Sequence, residues 1–449
     1  MSSQLPSSAK TTLRKASREA VGESLSYMKR HFKRSRWVGV GNRYRENTTE
    51  RIHADITQQG RSLNHFHLTQ YIAASAPLHC ADGWSLLGRA IDCHSRRDHD
   101  SARHFAYYAE LRAAVSLLAA EGIAIFRSNH YAVEKLKRCG RFGGQTHKVT
   151  WQALEYWAEL KRSSNLIGKS IRVNGIPLEE WLQHFPPHGS LRAVGKKWLR
   201  TWGLDLRLLS DDQNIRNEAS YRPTKLTERV TLDAEDSADF VCSLWSLCEP
   251  SPHSPFNSLD RHLLRLALEE TFYGVRGTTA AAAAQQFKAD VTGMLSQVLA
   301  EPTAQHEWLG FLTRTTEPND PVVLSEARLT DPIGAPRQHL QMISRAALLL
   351  RVATAANSRL MQDANVSGDD VKFWWSAMGE ERGLWTAAKQ PTDLADLWAD
   401  IDVAVKNISD WKAQTAAADR EFVKWRQEHS YDISVLGSCE RIALWGLEL

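Results

Sequence analysis

Arg216, Asn217 and Tyr221 stand together in "NIRNEASYRP", residues 214–223. These residue types can handle a phosphate. Arg offers a bidentate cationic fork, and Asn a neutral donor–acceptor pair. Tyr offers a phenolic hydrogen bond but is a weak base at neutral pH. In a helix, positions i, i+1 and i+5 do not share one line. They converge on a ligand only if two such helices meet. The same stretch also suits an ordinary helix end held by side-chain hydrogen bonds, with Tyr221 packed beneath Pro223.

Three other clusters could do chemistry. "CHSRRDHDSARH" brings Cys93, His94, His99 and His104 close in sequence. Its spacing lacks the paired ligands of a structural zinc site, and the i, i+5 step from His99 to His104 leaves one helical face. These read as core or surface histidines, so neither a metal nor any other cofactor is expected. "GRFGGQTHK" has the glycines of a phosphate loop, but Gln145 stands where such a loop needs Lys, and no strand is expected before it. "MKRHFKRSRW" carries Lys29, Arg30, Lys33, Arg34 and Arg36 with no acid. It suits a solvated basic helix, or a contact to a nucleic-acid backbone with Phe32 and Trp37 stacking on bases. Arg222 is a sixth candidate for that contact, next to the "NIRNEASY" motif.

The elements that must position these residues read as helices, so the fold class is mainly α. Residues 1–75 are expected as a basic polar leader, partly ordered. One helix is expected from Gly83 to Cys93, and a second after Asp100 or Ser101. The second has His104, Tyr107, Tyr108, Leu111, Ala114, Val115 and Leu118 on a buried face, with Gly122 as its stop. Small steps at Ala113, Ala114, Ala119 and Ala120 invite another helix close. "TWQALEYWAELKRSSN" continues as helix, and "SIRVNGIPLEEWLQHF" as a short extended piece, an Asn-Gly turn and a short helix. Residues 231–260 read as a linker, and 261–449 as a second helical domain of unknown role. Within it, "QHLQMISRAALLLRVATAANSRLMQDA" is expected as a long buried helix. The aromatics of "FWWSAMGEERGLW" are expected to pack in a core.

The chain has 449 residues, 43% apolar and 24% charged, with a net charge of +4. That suits a folded globular protein and permits nucleic-acid contact without requiring it. Six cysteines without a CxxC pair read as reduced thiols. No secretion signal or membrane span is visible, so a cytoplasmic protein is expected.

"IRNEASYRP" and the helices before it resemble the HEPN superfamily. Its ribonucleases carry an Arg, often followed by Asn or another polar residue, and a His a few residues on. Arg216 and Asn217 match that motif, and Tyr221 stands where His is expected. The resemblance covers roughly residues 80–225, within a HEPN-like bundle expected over 76–230. It implies a helical bundle that pairs, as a homodimer or with a partner subunit, so that two motifs face one cleft. It also implies metal-independent RNA cleavage by a toxin-like effector of a bacterial defence or stress system. Arg216, Asn217 and Tyr221 would then be the catalytic set. The alternative is a non-catalytic subunit that binds RNA or a partner in the same cleft. A third reading anchors DNA through Met28–Trp37, and removal of residues 1–37 would spare the cleft in the first two.

Overall fold

The computed structural model describes residues 5–59, 62–186, 195–221, 234–276, 280–332, 335–416 and 420–449. The first half runs α1 (Ser7–Arg14), α2 (Arg18–Phe32), α3 (Thr48–Thr57), α4 (His65–Ser95) and α5 (His99–Ala120). Strands β1 (Ile123–Ala124), β2 (Asn129–Val133) and β3 (Cys139–Gly143) follow. Next come α6 (Thr146–Ala158), α7 (Lys161–Ser170), the hairpin β4 (Arg172–Val173) and β5 (Ile176–Pro177), α8 (Leu178–Gln183), α9 (Gly195–Thr201) and α10 (Leu208–Tyr221). The second half adds α11 (Ala234–Leu247), α12 (Asn257–Arg276), α13 (Ala280–Val298), α14 (Pro302–Leu312), α15 (Val322–Arg328) and α16 (Gln338–Asp363). It closes with α17 (Lys372–Glu381), α18 (Trp398–Gln414), α19 (Phe422–Glu428), α20 (Ser430–Leu436) and α21 (Glu440–Gly446). The fold is mainly α.

The core forms where α5 lies against both α4 and α16. Alanines make this possible. Ala106, Ala109, Ala113 and Ala114 of α5 are fully buried, and so are Ala76 and Ala90 of α4 and Ala346, Ala353 and Ala356 of α16. Small side chains let three helix axes approach, while Trp84, Leu87, Leu117, Leu349 and Leu350 fill the space between them. Thr354 seals the contact. Its hydroxyl accepts from the Trp84 indole N–H at 2.8 Å, and Asn357 donates to Ser116 at 2.8 Å. The long buried helix expected in the second half is α16.

The expected Gly83–Cys93 helix is the last third of α4, which runs unbroken through Pro77. The second expected helix is α5, but it starts at His99, before the expected Asp100 or Ser101, because Asp98 caps it by accepting from the Ser101 N–H. Gly122 takes a positive φ of 82° just past its end, as expected. The Asn-Gly turn also forms as read, since Asn174 and Gly175 join β4 to β5.

The expected leader over residues 1–75 is, in its described residues, built into the core instead. Leu13, Val21, Leu25 and Met28 are fully buried, Phe32 is 4% exposed, and α2 packs on α4 and α16. Each such side chain contributes about 1.5–3 kcal/mol on burial. The charges of α1 and α2 mask a strong amphipathic period, which a composition reading averages away. Removing residues 1–37 therefore strips core from the whole fold, and it cannot separate a DNA anchor from the cleft. The expected linker over 231–260 contains α11, whose Phe240 and Trp245 are buried. No separate second core exists among the described residues, because α16 completes the first one. Trp375 and Trp385 do pack in it, edge to face at 6.2 Å.

The glycine-rich segment after α5 is not a free loop. Cys139–Gly143 is β3, paired antiparallel with β2. Gly144 then turns the chain into α6 at φ 145°, and a Cβ there would meet Val149 Cγ2 at 2.1 Å. This turn places His147 in the first turn of α6.

Candidate functional site

Helix α10 lies antiparallel to α5 and presents one face to it. Leu209, Asp212 and Ile215 are buried there, and Arg216 follows Asp212 by one turn. The pairing is ordered. Asp212 meets Glu110, Arg216 meets Tyr107 and Tyr108, and Ser220 meets His104. The Arg216 guanidinium sits over the Tyr107 ring at 5.1 Å and the Tyr108 ring at 5.5 Å. Cation–π contact of this kind holds the charge in place while the half-buried fork stays reachable.

Two histidines flank it. His104 Nδ1 is 3.1 Å from Ser220 Oγ. His147 Nδ1 is 2.6 Å from Tyr107 Oη, and the two rings stack at 5.7 Å. Burial, and then the charge of Arg216, lower the pKa of both imidazoles below their ordinary 6.5. Burial raises the Tyr107 phenol, so it stays protonated. Among the described residues, the cleft thus brings the Arg216 cation together with two neutral imidazoles, the protonated Tyr107 phenol and the Tyr108 ring.

The influence of Arg216 can be measured directly. In Arg216→Gln the second cause of depression is gone and burial remains. NMR titration of the His104 and His147 ring protons should then show both pKa values higher than in the parent, still under 6.5. Unmoved titrations would mean that Arg216 does not face these rings.

Below the cleft lies a buried triad of ionisable side chains. Arg345 of α16 donates to Asp212 through Nε at 2.8 Å and Nη2 at 2.6 Å, and its Nε is 3.9 Å from Glu110. All three side chains are 3% exposed or less. Burial, then the Asp212 charge, raise the Glu110 carboxyl well above its ordinary 4.5. Glu110 therefore stays protonated where an unfolded chain would ionise it. The native state binds the extra proton, so this group's contribution to stability is complete below 4.5 and is lost as pH rises through the raised value. Glu110→Gln keeps the shape without the ionisation. Its melting temperature should fall less than the parent's between about pH 5 and about pH 8. A parallel fall in both proteins would remove Glu110 from the effect.

The expected site residues are placed as follows. Arg216 is in the cleft, and Asn217 is half-buried beside it on α10. Tyr221 is 82% exposed at the end of α10, neither packed nor in the pocket of Arg216. Its expected place beneath Pro223 is thereby corrected as regards burial. Pro223 and Arg222 lie outside the described residues. Among the basic residues, Lys29 is tied to Asp370 at 2.9 Å and to the Asn365 carbonyl at 2.7 Å. Arg30 lies over the Tyr27 ring at 3.7 Å, and Lys33, Arg34 and Arg36 are exposed. Phe32 and Trp37 pack on each other and on Phe373, so they are not free to stack on bases.

His147 was missed by motif reading, because its signal is spatial and comes from β3 and Gly144. Tyr107 and Tyr108 were visible as part of a buried stripe, yet a stripe says nothing about a cation above it. Comparison with known proteins adds no assignment: no family model, no curated protein and no solved structure matches this chain. No helix among the described residues is long and apolar enough to cross a membrane.

Proposed function

We propose that the α5–α10 cleft binds an RNA phosphodiester and cleaves it without a metal ion, in the manner implied by the HEPN resemblance. One observation carries this reading: a fixed Arg216 flanked by two neutral histidines, His104 and His147. Arg216 would bind the phosphate and stabilise the charge that grows on its oxygens. A neutral imidazole takes the proton of the ribose 2′-OH, whose oxygen attacks phosphorus. The bond to the 5′-oxygen breaks, and that oxygen receives a proton from the second histidine. The bound phosphate offsets the field of Arg216 and so favours protonation of that second ring. The products carry a 2′,3′-cyclic phosphate and a 5′-OH.

In this reading His104 and His147 take the role that Tyr221 was expected to fill. Tyr221, exposed with Ser220 at the end of α10, is open to a second copy or a partner subunit. The setting in a bacterial defence or stress system rests on the resemblance alone.

A second reading is favoured by one observation. The motif position that should carry His carries an outward-facing Tyr221, which suits RNA binding without turnover. Purified protein with labelled cellular RNA and EDTA tests both. Fragments with cyclic-phosphate ends support cleavage. Salt-sensitive binding with intact RNA supports the second reading. Neither binding nor cleavage sinks both.

A further inference from the structure

Outside the cleft, the ends of three helices bring three imidazoles together. His94 is in the last turn of α4, His99 opens α5, and His339 is the second residue of α16. One nitrogen from each lies within 4.8 Å of the other two. His94 and His339 are fully buried, and His99 is partly exposed. Phe240 of α11 covers His94 edge-on at 5.7 Å.

The hydrogen-bond pattern suits a cation between the rings. A neutral imidazole has one N–H and one lone pair. His94 Nδ1 and His339 Nε2 face each other at 3.0 Å. Main-chain groups of Ser237 and Pro336 act on the same two rings as hydrogen-bond acceptors, and the outer nitrogens, His94 Nε2 and His339 Nδ1, complete no hydrogen bond of ordinary geometry. If both outer nitrogens carry their hydrogens toward the main chain, two lone pairs confront each other at the centre. If an inner nitrogen carries one, an outer lone pair is left buried without a hydrogen bond. Every neutral arrangement leaves one contact mismatched. A metal between the inner nitrogens removes the conflict, because each ring then ligates inward and donates outward to the backbone, the usual outer support of a metal-bound histidine. Burial keeps both rings neutral, the form that ligates. Two nitrogens on one tetrahedral zinc stand roughly 3.3 Å apart, from Zn–N bonds of about 2.0–2.1 Å.

We propose that His94, His99 and His339 form a binding site for a zinc-class divalent transition metal that ties α4, α5 and α16 together. His99 now stacks on His339 at 4.1 Å, and as the partly exposed member it leaves that stack to become the third ligand. Three imidazoles leave a fourth position for water or another donor. Arg103 and Arg337 place positive charge near His339 and His94. Arg337 is neutralised by Glu326 at 2.8 Å, and Arg103 by Asp100 at 2.8 Å. The site is separate from the cleft, since neither His104 nor His147 belongs to it.

The test uses full-length protein without a polyhistidine tag, stripped with EDTA and reloaded with Zn2+ or Co2+. The expected result is about one equivalent of zinc per chain by elemental analysis. Co2+ should give the intense visible absorption of four-coordinate cobalt, and Zn2+ should raise the melting temperature. His99→Gln and His339→Gln should each weaken binding by more than about tenfold. The exposed His306→Gln should bind like the parent. If His339→Gln fails to fold, the milder His99→Gln decides. Parent protein that binds zinc no better than His99→Gln overturns the site and leaves histidine packing as its role. That outcome leaves the RNA reading untouched, because the cleavage assay is run in EDTA.

Discussion

Arg216→Ala should reduce RNA cleavage by about 10²–10³-fold or more in kcat, with His104 and His147 still in place. Among the described residues, the Arg216 guanidinium is the cation that faces the pocket formed by Tyr107, Tyr108, His104 and His147. Phosphodiester cleavage places extra negative charge on the non-bridging oxygens in the transition state, and a preorganised cation acts there most. Lys at 216 should recover only part of the rate, since a point charge cannot form the two parallel hydrogen bonds of a fork. Single-turnover kinetics on one labelled RNA, in EDTA, provide the measurement. Cleavage by Arg216→Ala at the parental rate would exclude Arg216 from the chemistry. If the parent binds without cutting, the same variant should instead weaken binding, and its salt dependence should become shallower by one phosphate contact.

The second large effect concerns stability. Arg345→Met should destabilise the protein by about 3–5 kcal/mol in urea unfolding. Arg345 is 3% exposed and donates two hydrogen bonds to Asp212, which is 1% exposed. Without it, a buried carboxylate is left beside Glu110 with no counter-charge. The double variant Arg345→Met with Asp212→Leu should recover most of the loss, because the cost lies in the orphaned charge more than in the lost pair. A loss under about 1 kcal/mol in the single variant would show that water reaches the triad. The cleft should suffer with it. Asp212 and Arg216 are one turn apart on the same face of α10, so releasing Asp212 loosens the helix that holds Arg216 over its tyrosines.

Several local elements were already written in the sequence. The start of α5 reads late, at Asp100 or Ser101, where the cap is Asp98, but Gly122 takes the positive φ that ends the helix, and Asn174 with Gly175 makes the hairpin turn. These depend on neighbours a few residues away, so they are written in the local pattern. The buried character of α16 was legible for the same reason. The sequence also marked Arg216, since a short polar motif after apolar helices is visible in one dimension.

What surrounds Arg216 was set by packing between helices. The stripe of His104, Tyr108, Leu111 and Val115 reads as the core face of α5. In the fold it is the half-buried side, and the deepest face carries Ala106, Ala109 and Ala113. Two large helices, α4 and α16, compete for α5, and alanines win the closest approach because axes draw nearest over small side chains. That choice turns the aromatic stripe outward to meet α10. It also joins residues far apart in the chain: His147 to Tyr107, Arg345 to Asp212, and His339 to His94. Spacing rules see a ligand set only when it lies along one helix or loop. Here each set is assembled across helices whose packing is set by volume, so the cleft and the histidine cluster exist only in three dimensions.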